Sequence, residues 1–182
     1  MCIRDSYHSF DGSYGGLWRR NGRPPQLLAG VGFSAQGKFE GSYYRRTAES
    51  RAPDLVWMFE GIEDQEILGD FGFSGGGAAG FELDRADVRL GTPEEVRVVA
   101  SSENHTSSFV LVPEEMLTHI TNWPGEEEQQ KLIRSDIVYF RTPSGGEVFS
   151  TGSITFCGSL PWNDFDNNIS RLLENVIMRF LQ

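Results

Sequence analysis

Cysteine, positive charge and long apolar runs are what this sequence has least of. Its two cysteines, Cys2 and Cys157, exclude by count a disulfide scaffold and a four-cysteine zinc site. The 16 Lys and Arg are outnumbered by 26 Asp and Glu, which gives a formal net charge of −10. That balance argues against nucleic acid and anionic membrane as partners, because both are held by basic patches. No apolar run approaches the roughly 20 residues that cross a bilayer. Repeats, heptads and low-complexity linkers are missing as well. A cytoplasmic globular protein is expected.

What is present fits one domain. A chain of 182 residues can bury a sizeable core but not two ordinary ones. The composition, 38% hydrophobic and 23% charged, is that of a globular domain. The 21 glycines fall mostly in short clusters and predict many tight turns. Residues 1–6 (MCIRDS) resemble a translated adapter remnant at the end of a metagenomic reading frame. They are set aside, and residues 7–182 are expected to continue a longer bacterial chain from its N-terminal side.

The last third is the most legible part. Apolar runs at 137–141 and 147–156 flank Pro143-Ser144-Gly145-Gly146, which predicts a hairpin. Ile169, Leu172, Leu173, Val176, Ile177 and Phe180 lie on one helical stripe. Asp166, Asn167 and Asn168 are N-cap candidates, and Arg179 suits the last turn. Upstream, short apolar runs at 26–33, 55–59 and 96–100 read as buried strands of an open, largely parallel sheet. Residues 14–20 read as a helix tail, 36–53 as polar and irregular, and 113–115 as a helix start. Crossover helices are not evident at 33–55 or 73–96, which a doubly wound sheet would need. The expected fold class is therefore α/β, closed by the C-terminal hairpin and helix.

Five groups of residues carry candidate chemistry. The glycines at 75–80 read either as a ligand cradle or as close backbone packing; neither phosphate-binding spacing is met. Glu82, between Phe81 and Leu83, reads as a general acid or base if held near apolar walls, and as a solvent-facing residue otherwise. Glu103, Asn104 and His105 follow a strand, where proton transfer or metal binding is chemically reasonable, although one Glu and one His do not complete a metal site. His8 and His119 have no ligand pattern around them. Ser153 and Cys157 are candidate nucleophiles without the G-x-S-x-G elbow, and Cys157 reads most simply as a small core residue. Tyr43-Tyr44-Arg45-Arg46 fits an anion or an interface.

Several longer words then point one way: Gly15-Gly-Leu-Trp-Arg-Arg20 with Gly22-Arg-Pro-Pro25, Gly30-Val-Gly-Phe-Ser-Ala-Gln-Gly37, Ser42-Tyr-Tyr-Arg-Arg46, Gly69-Asp-Phe-Gly72, Gly75-Gly-Gly-Ala-Ala-Gly80 with Glu82-Leu-Asp-Arg85, Leu111-Val-Pro-Glu-Glu115, and Val148-Phe-Ser-Thr-Gly-Ser-Ile154 with Cys157-Gly-Ser159. In this order they resemble the C-terminal part of the large (beta) subunit of the N,N-dimethylformamidase family. The resemblance implies a class I glutamine amidotransferase-like (Rossmann-like) domain, of which this chain would be a part. It implies an amidohydrolase that cleaves the C–N bond of a small formamide with an iron-activated water. It implies a mononuclear iron held by two tyrosines and a carboxylate, a small helical partner subunit and a homo-oligomer. The iron ligands are expected upstream, so no residue here is assigned as a ligand. Glu82 is expected to orient or activate the attacking water, with His105 and Asn104 as further site candidates. The chain alone is expected to be inactive. The contrasting readings are a non-catalytic structural or carbohydrate-related binding module, and a hydrolase using Cys157 or Ser153.

Overall fold

The computed structural model describes residues 18–112 and 125–182. The expectations for residues 1–6, Cys2, His8, His119 and the helix start at 113–115 lie outside these. Of the helix tail at 14–20, the described part is a short 3-10 turn, Trp18–Asn21.

One strand organises everything else. β1 (Gly32–Arg46) is 15 residues long and pairs with three neighbours. On one flank it meets β2 (Ala79–Arg85), with Gly32 opposite Arg85 and Ser42 opposite Ala79. Its last residues meet β3 (Arg97–Glu103), with Tyr43 opposite Glu103. Ala35 and Gln36 also pair with the two-residue β4 (Val110–Leu111). β3 continues to β5 (Asp136–Arg141), and β5 to β6 (Glu147–Ser150) through the predicted hairpin. The reversal closes with Thr142 N–H donating to the Gly146 carbonyl, and Gly145 adopts a φ of +89° that suits glycine.

The path β2-β1-β3-β5-β6 then curls back on itself. After β6 the chain returns to β2: Leu83 bridges Ser153, and Asp84 N–H donates to the Gly152 carbonyl. The result is an antiparallel half-barrel in a mixed α/β chain. The expected parallel sheet is thus corrected, since every strand pairing among the described residues is antiparallel. The physical reason for the misreading is that the run at 96–100, which leads into and forms most of the apolar part of β3, is covered on both faces. Val99 enters the main core, while Val96 and Val98 pack with Val31, Ala86 and Val138 on the other side. Burial on both faces erases alternation, the mark that separates antiparallel from parallel strands.

Other expectations shift for similar reasons. The run at 26–33 is mostly not a strand; it holds most of the helix α1 (Pro25–Ala29), with Pro25 at its start and Gly30 in the left-handed C-cap, and only Gly32 and Phe33 begin β1. The run at 55–59 is a 3-10 helix, Val56–Phe59. Most of the "irregular" stretch at 36–53 is β1, where pairing on both flanks overrides poor strand propensity.

The main core gathers Tyr44, Leu55, Met58, Leu68, Phe156, Ile169 and Leu172. Two further helices, α2 (Glu126–Leu132) and α3 (Phe156–Ser159), precede the closing helix α4 (Asn168–Phe180). Asn167 caps α4 by accepting from Ser170 N–H at 2.9 Å. Only Ile169, Leu172 and Val176 of the predicted stripe are buried; Ile177 and Phe180 are exposed. The glycine cluster is explained by contact. A Cβ on Gly80 would stand 2.2 Å from the Glu40 carbonyl oxygen, and one on Gly77 would stand 2.3 Å from that of Ser42. The close-packing reading therefore accounts for these two positions, where β2 and its approach press against β1.

Candidate functional site

The four-against-one mismatch between β1 and β2 shapes the first candidate position. Gln36 pairs with Glu82 and Gly41 with Gly80, so residues 37–40 bulge opposite Phe81 alone. Phe81 consequently takes a φ of +59°. A bulky residue there is a true outlier, and such strain is held only where the surroundings enforce it. Its ring stands edge-on to Phe39, with centroids 5.9 Å apart.

Glu82 follows directly. It and Asp84 are two residues apart on β2, so they share a face, while Leu83 between them is fully buried on the other. Both carboxylates line an open depression of about 570 Å³, together with Thr151, Gly152, Ser153 and Cys157. The strand and the returning segment 151–153 form its walls. Ser153 Oγ is engaged on both sides by Gly80, accepting from its N–H at 2.8 Å and donating to its carbonyl at 2.9 Å. Its proton is thus spent on structure. Cys157 is exposed on α3 and is not the core residue expected. Among the described residues, no histidine lines this depression, so neither nucleophile has a visible base.

His105 and Asn104 sit elsewhere. They line a separate cavity, also about 570 Å³, with Gln129, Lys131 and Arg134 across from them. The structure therefore unites His105 with Asn104 and does not bring them to Glu82. Asn104 ends β3 in the left-handed region (φ +62°), which asparagine tolerates better than most residues. His105 Nε2 lies 2.6 Å from Ser102 Oγ, and its ring tilts against Phe109 at 4.7 Å. Its Nδ1 is buried with no partner. Burial pushes the His105 pKa down to about 4, against the opposing pull of Glu40. Glu103 is engaged by Arg45.

The sign of the pH effect follows. The unfolded chain titrates this imidazole near 6.5, the folded chain near 4. Between those values the unfolded state binds the extra proton, so acidification favours unfolding by up to about 1.4 kcal/mol per pH unit. Urea unfolding of wild type and His105→Gln should show it. Stability lost between neutral pH and pH ~4.5 is expected to be smaller in the variant. Equal losses would mean that His105 charges freely in the folded state.

A polar seam, not foreseen from sequence, joins the two places. Ser135 N–H donates to Ser102 Oγ at 2.7 Å, Ser135 Oγ and Tyr44 OH are 2.8 Å apart, and Tyr44 OH donates to the Thr151 carbonyl at 2.7 Å. Tyr44 is fully buried, and burial raises its pKa. Beside the seam, the fully buried Asp136 accepts from Ala86 N–H, Ser101 Oγ and Arg134 Nε. The one clue to it is an acid heading the apolar run at 137–140.

The described residues do not fit an iron held by two tyrosinates and a carboxylate. Tyr44 turns its hydroxyl into the core, and Tyr43 lies partly buried under the Arg45 guanidinium. Among the described residues, no three His, Cys, Asp or Glu side chains cluster closely enough to hold a metal ion. No helix among them is long and apolar enough to cross a membrane.

Comparison with known proteins decides the family. The model described as "N,N-dimethylformamidase beta subunit-like, C-terminal" matches residues 2–168. The chain belongs to that family. It is 38% identical over 176 residues to the N,N-dimethylformamidase beta subunit of Alcaligenes sp. Identity to the N,N-dimethylformamidase beta subunit of Paracoccus aminophilus is likewise 38% over 176 residues. Each match covers 97% of this chain and 23% of the relative. The chain thus spans about a quarter of the length of these curated relatives, and the family resemblance read from its glycine-rich words holds along nearly all of it.

Proposed function

We propose that this chain is the C-terminal part of a subunit that hydrolyses a small formamide, with Glu82 at the edge of the reaction site. The family supplies the reaction class. The observation that carries the residue assignment is the strained Phe81, which holds Glu82 on the open face of β2. In this reading Glu82 takes a proton from water as its oxygen bonds to the formyl carbon. The same proton then serves the departing amine nitrogen, giving formate and free amine. Asp84 shares the face and keeps the mouth of the depression polar.

The iron belongs, on this proposal, to residues outside this chain, as does the glutamine amidotransferase-like sheet. The remaining partners are the preceding part of the same subunit, a small helical subunit and further copies in a cytoplasmic oligomer. His105 and Asn104 stand apart from Glu82 and serve the site only at a distance.

The test is direct. The Paracoccus aminophilus subunit, with its matching 176 residues replaced by this chain, is assayed for amine release from N,N-dimethylformamide and from simple homologues. Turnover is expected in the joined subunit and none in the 182-residue chain alone. A joined subunit that folds, assembles and stays inert would sink the reading and favour a non-catalytic module.

A further inference from the structure

We propose that the outward face of α1 is the seat for the preceding part of the same subunit, an inference that rests on the reading of this chain as a C-terminal part. The helix is inside out. Its buried residue is the polar Gln26, 0% exposed, while Leu27 and Leu28 are 55% and 81% exposed. Trp18, 60% exposed, joins them, and with Pro24 and Pro25 they line an apolar groove of about 490 Å³. In a domain that worked alone, Gln26 would face water and the leucines would face in. A contiguous apolar surface of this kind marks a contact.

The face is also held rigidly. Arg19, itself buried, donates to Gln26 Oε1 at 3.0 Å and to the Leu90 carbonyl at 2.8 Å. At the other end, Ser150 Oγ donates to the Ala29 carbonyl and Thr92 Oγ1 to that of Gly30. Gly30 is in the left-handed region, with Val138, Phe140 and Val96 packed where a side chain would be. The leucines therefore cannot roll inward; they are presented.

The occupant follows from length and position. Some three quarters of the relatives' length lies outside the match, and the family model is that of the C-terminal part. Trp18, which lines the groove, lies close in sequence to the N-terminal end of the family match at residue 2, so the groove is near in sequence to the part of the subunit that the match leaves out. Among its described lining residues only Arg23 is charged, which fits an apolar segment better than a charged one.

Two measurements decide it. In a Cys2→Ser, Cys157→Ser background, Leu28→Cys is labelled with a maleimide in the 182-residue chain and in the joined subunit described above. Labelling is expected to be roughly tenfold or more slower in the joined subunit, as for a group released only by local opening. Equal rates overturn the proposal. So does protection already present in the chain alone, whether independent of concentration, which means the chain covers itself, or rising with it, which means a second copy sits there. With hydrolysis measured in the joined subunit that keeps Cys157, protection without formamide hydrolysis keeps the seat and removes the catalytic reading; hydrolysis with the introduced thiol unprotected does the reverse. Separately, Leu27→Gln with Leu28→Gln is expected to leave the isolated chain's urea midpoint unchanged. A lowered midpoint would show that the leucines serve this fold itself, and the proposal would fail.

Discussion

Asp136→Ala is expected to destabilise the chain by about 3–5 kcal/mol, a large part of the 5–15 kcal/mol typical of a domain. The carboxylate is fully buried and serves three elements at once: Ala86 just past β2, Ser101 on β3 and Arg134 ahead of β5. Removing it leaves the Ala86 N–H and the Ser101 hydroxyl without this acceptor, and leaves the Arg134 guanidinium with the Lys131 and Ala86 carbonyls but no carboxylate beside it. Each loss carries a desolvation cost that an intact pair avoids. Asp136→Asn keeps one acceptor oxygen and the shape, so it is expected to lose less. Urea unfolding of the three proteins at neutral pH checks the order. A near-neutral alanine variant would mean that water replaces the carboxylate, and that the junction of β2, β3 and β5 is not held from inside.

The second large effect is on turnover. Glu82→Gln in the joined subunit is expected to lower kcat by about 10²–10⁴ with little change in KM, the range for loss of a positioned proton acceptor. The amide preserves the size of the side chain and the pairing with Gln36, so the fold should be indifferent. Asp84→Asn is the comparison, since it lines the same depression from two residues away. A Glu82→Gln enzyme that turns over normally would remove this residue from the chemistry. A loss shared equally by the two variants would point instead to the negative charge of the face as a whole.

How far the sequence foretold this structure differs from place to place. The closing hairpin and α4 were legible because their signals are local. Pro143 and Gly145 set a turn, and Ile169, Leu172 and Val176 repeat at the helical period. β1 was not legible because nothing local makes it a strand. It is rich in glycine and charge, and its stability comes from partners 37 to 76 residues away. α1 misled for the opposite reason: its leucines imply burial in a chain that ends at its own surface, and here they do not find it. The place of Asn104 and His105 just after a strand was legible, but not their separation from Glu82, which only the curl of the sheet decides. Phe81 carries no sequence signal at all. Its conformation comes from the unequal lengths of two strands.

That inequality has a meaning for descent. Lys38 and Phe39 form the exposed tip of the bulge and belong to none of the three ladders of β1. Residues can be gained or lost there while Gln36 and Gly41 keep their partners, so the half-barrel does not register the change. The turn imposed on Phe81 does register it, and with it the direction of Glu82. Insertions and deletions at two surface residues thus give a lineage a way to retune its carboxylate without touching the carboxylate itself.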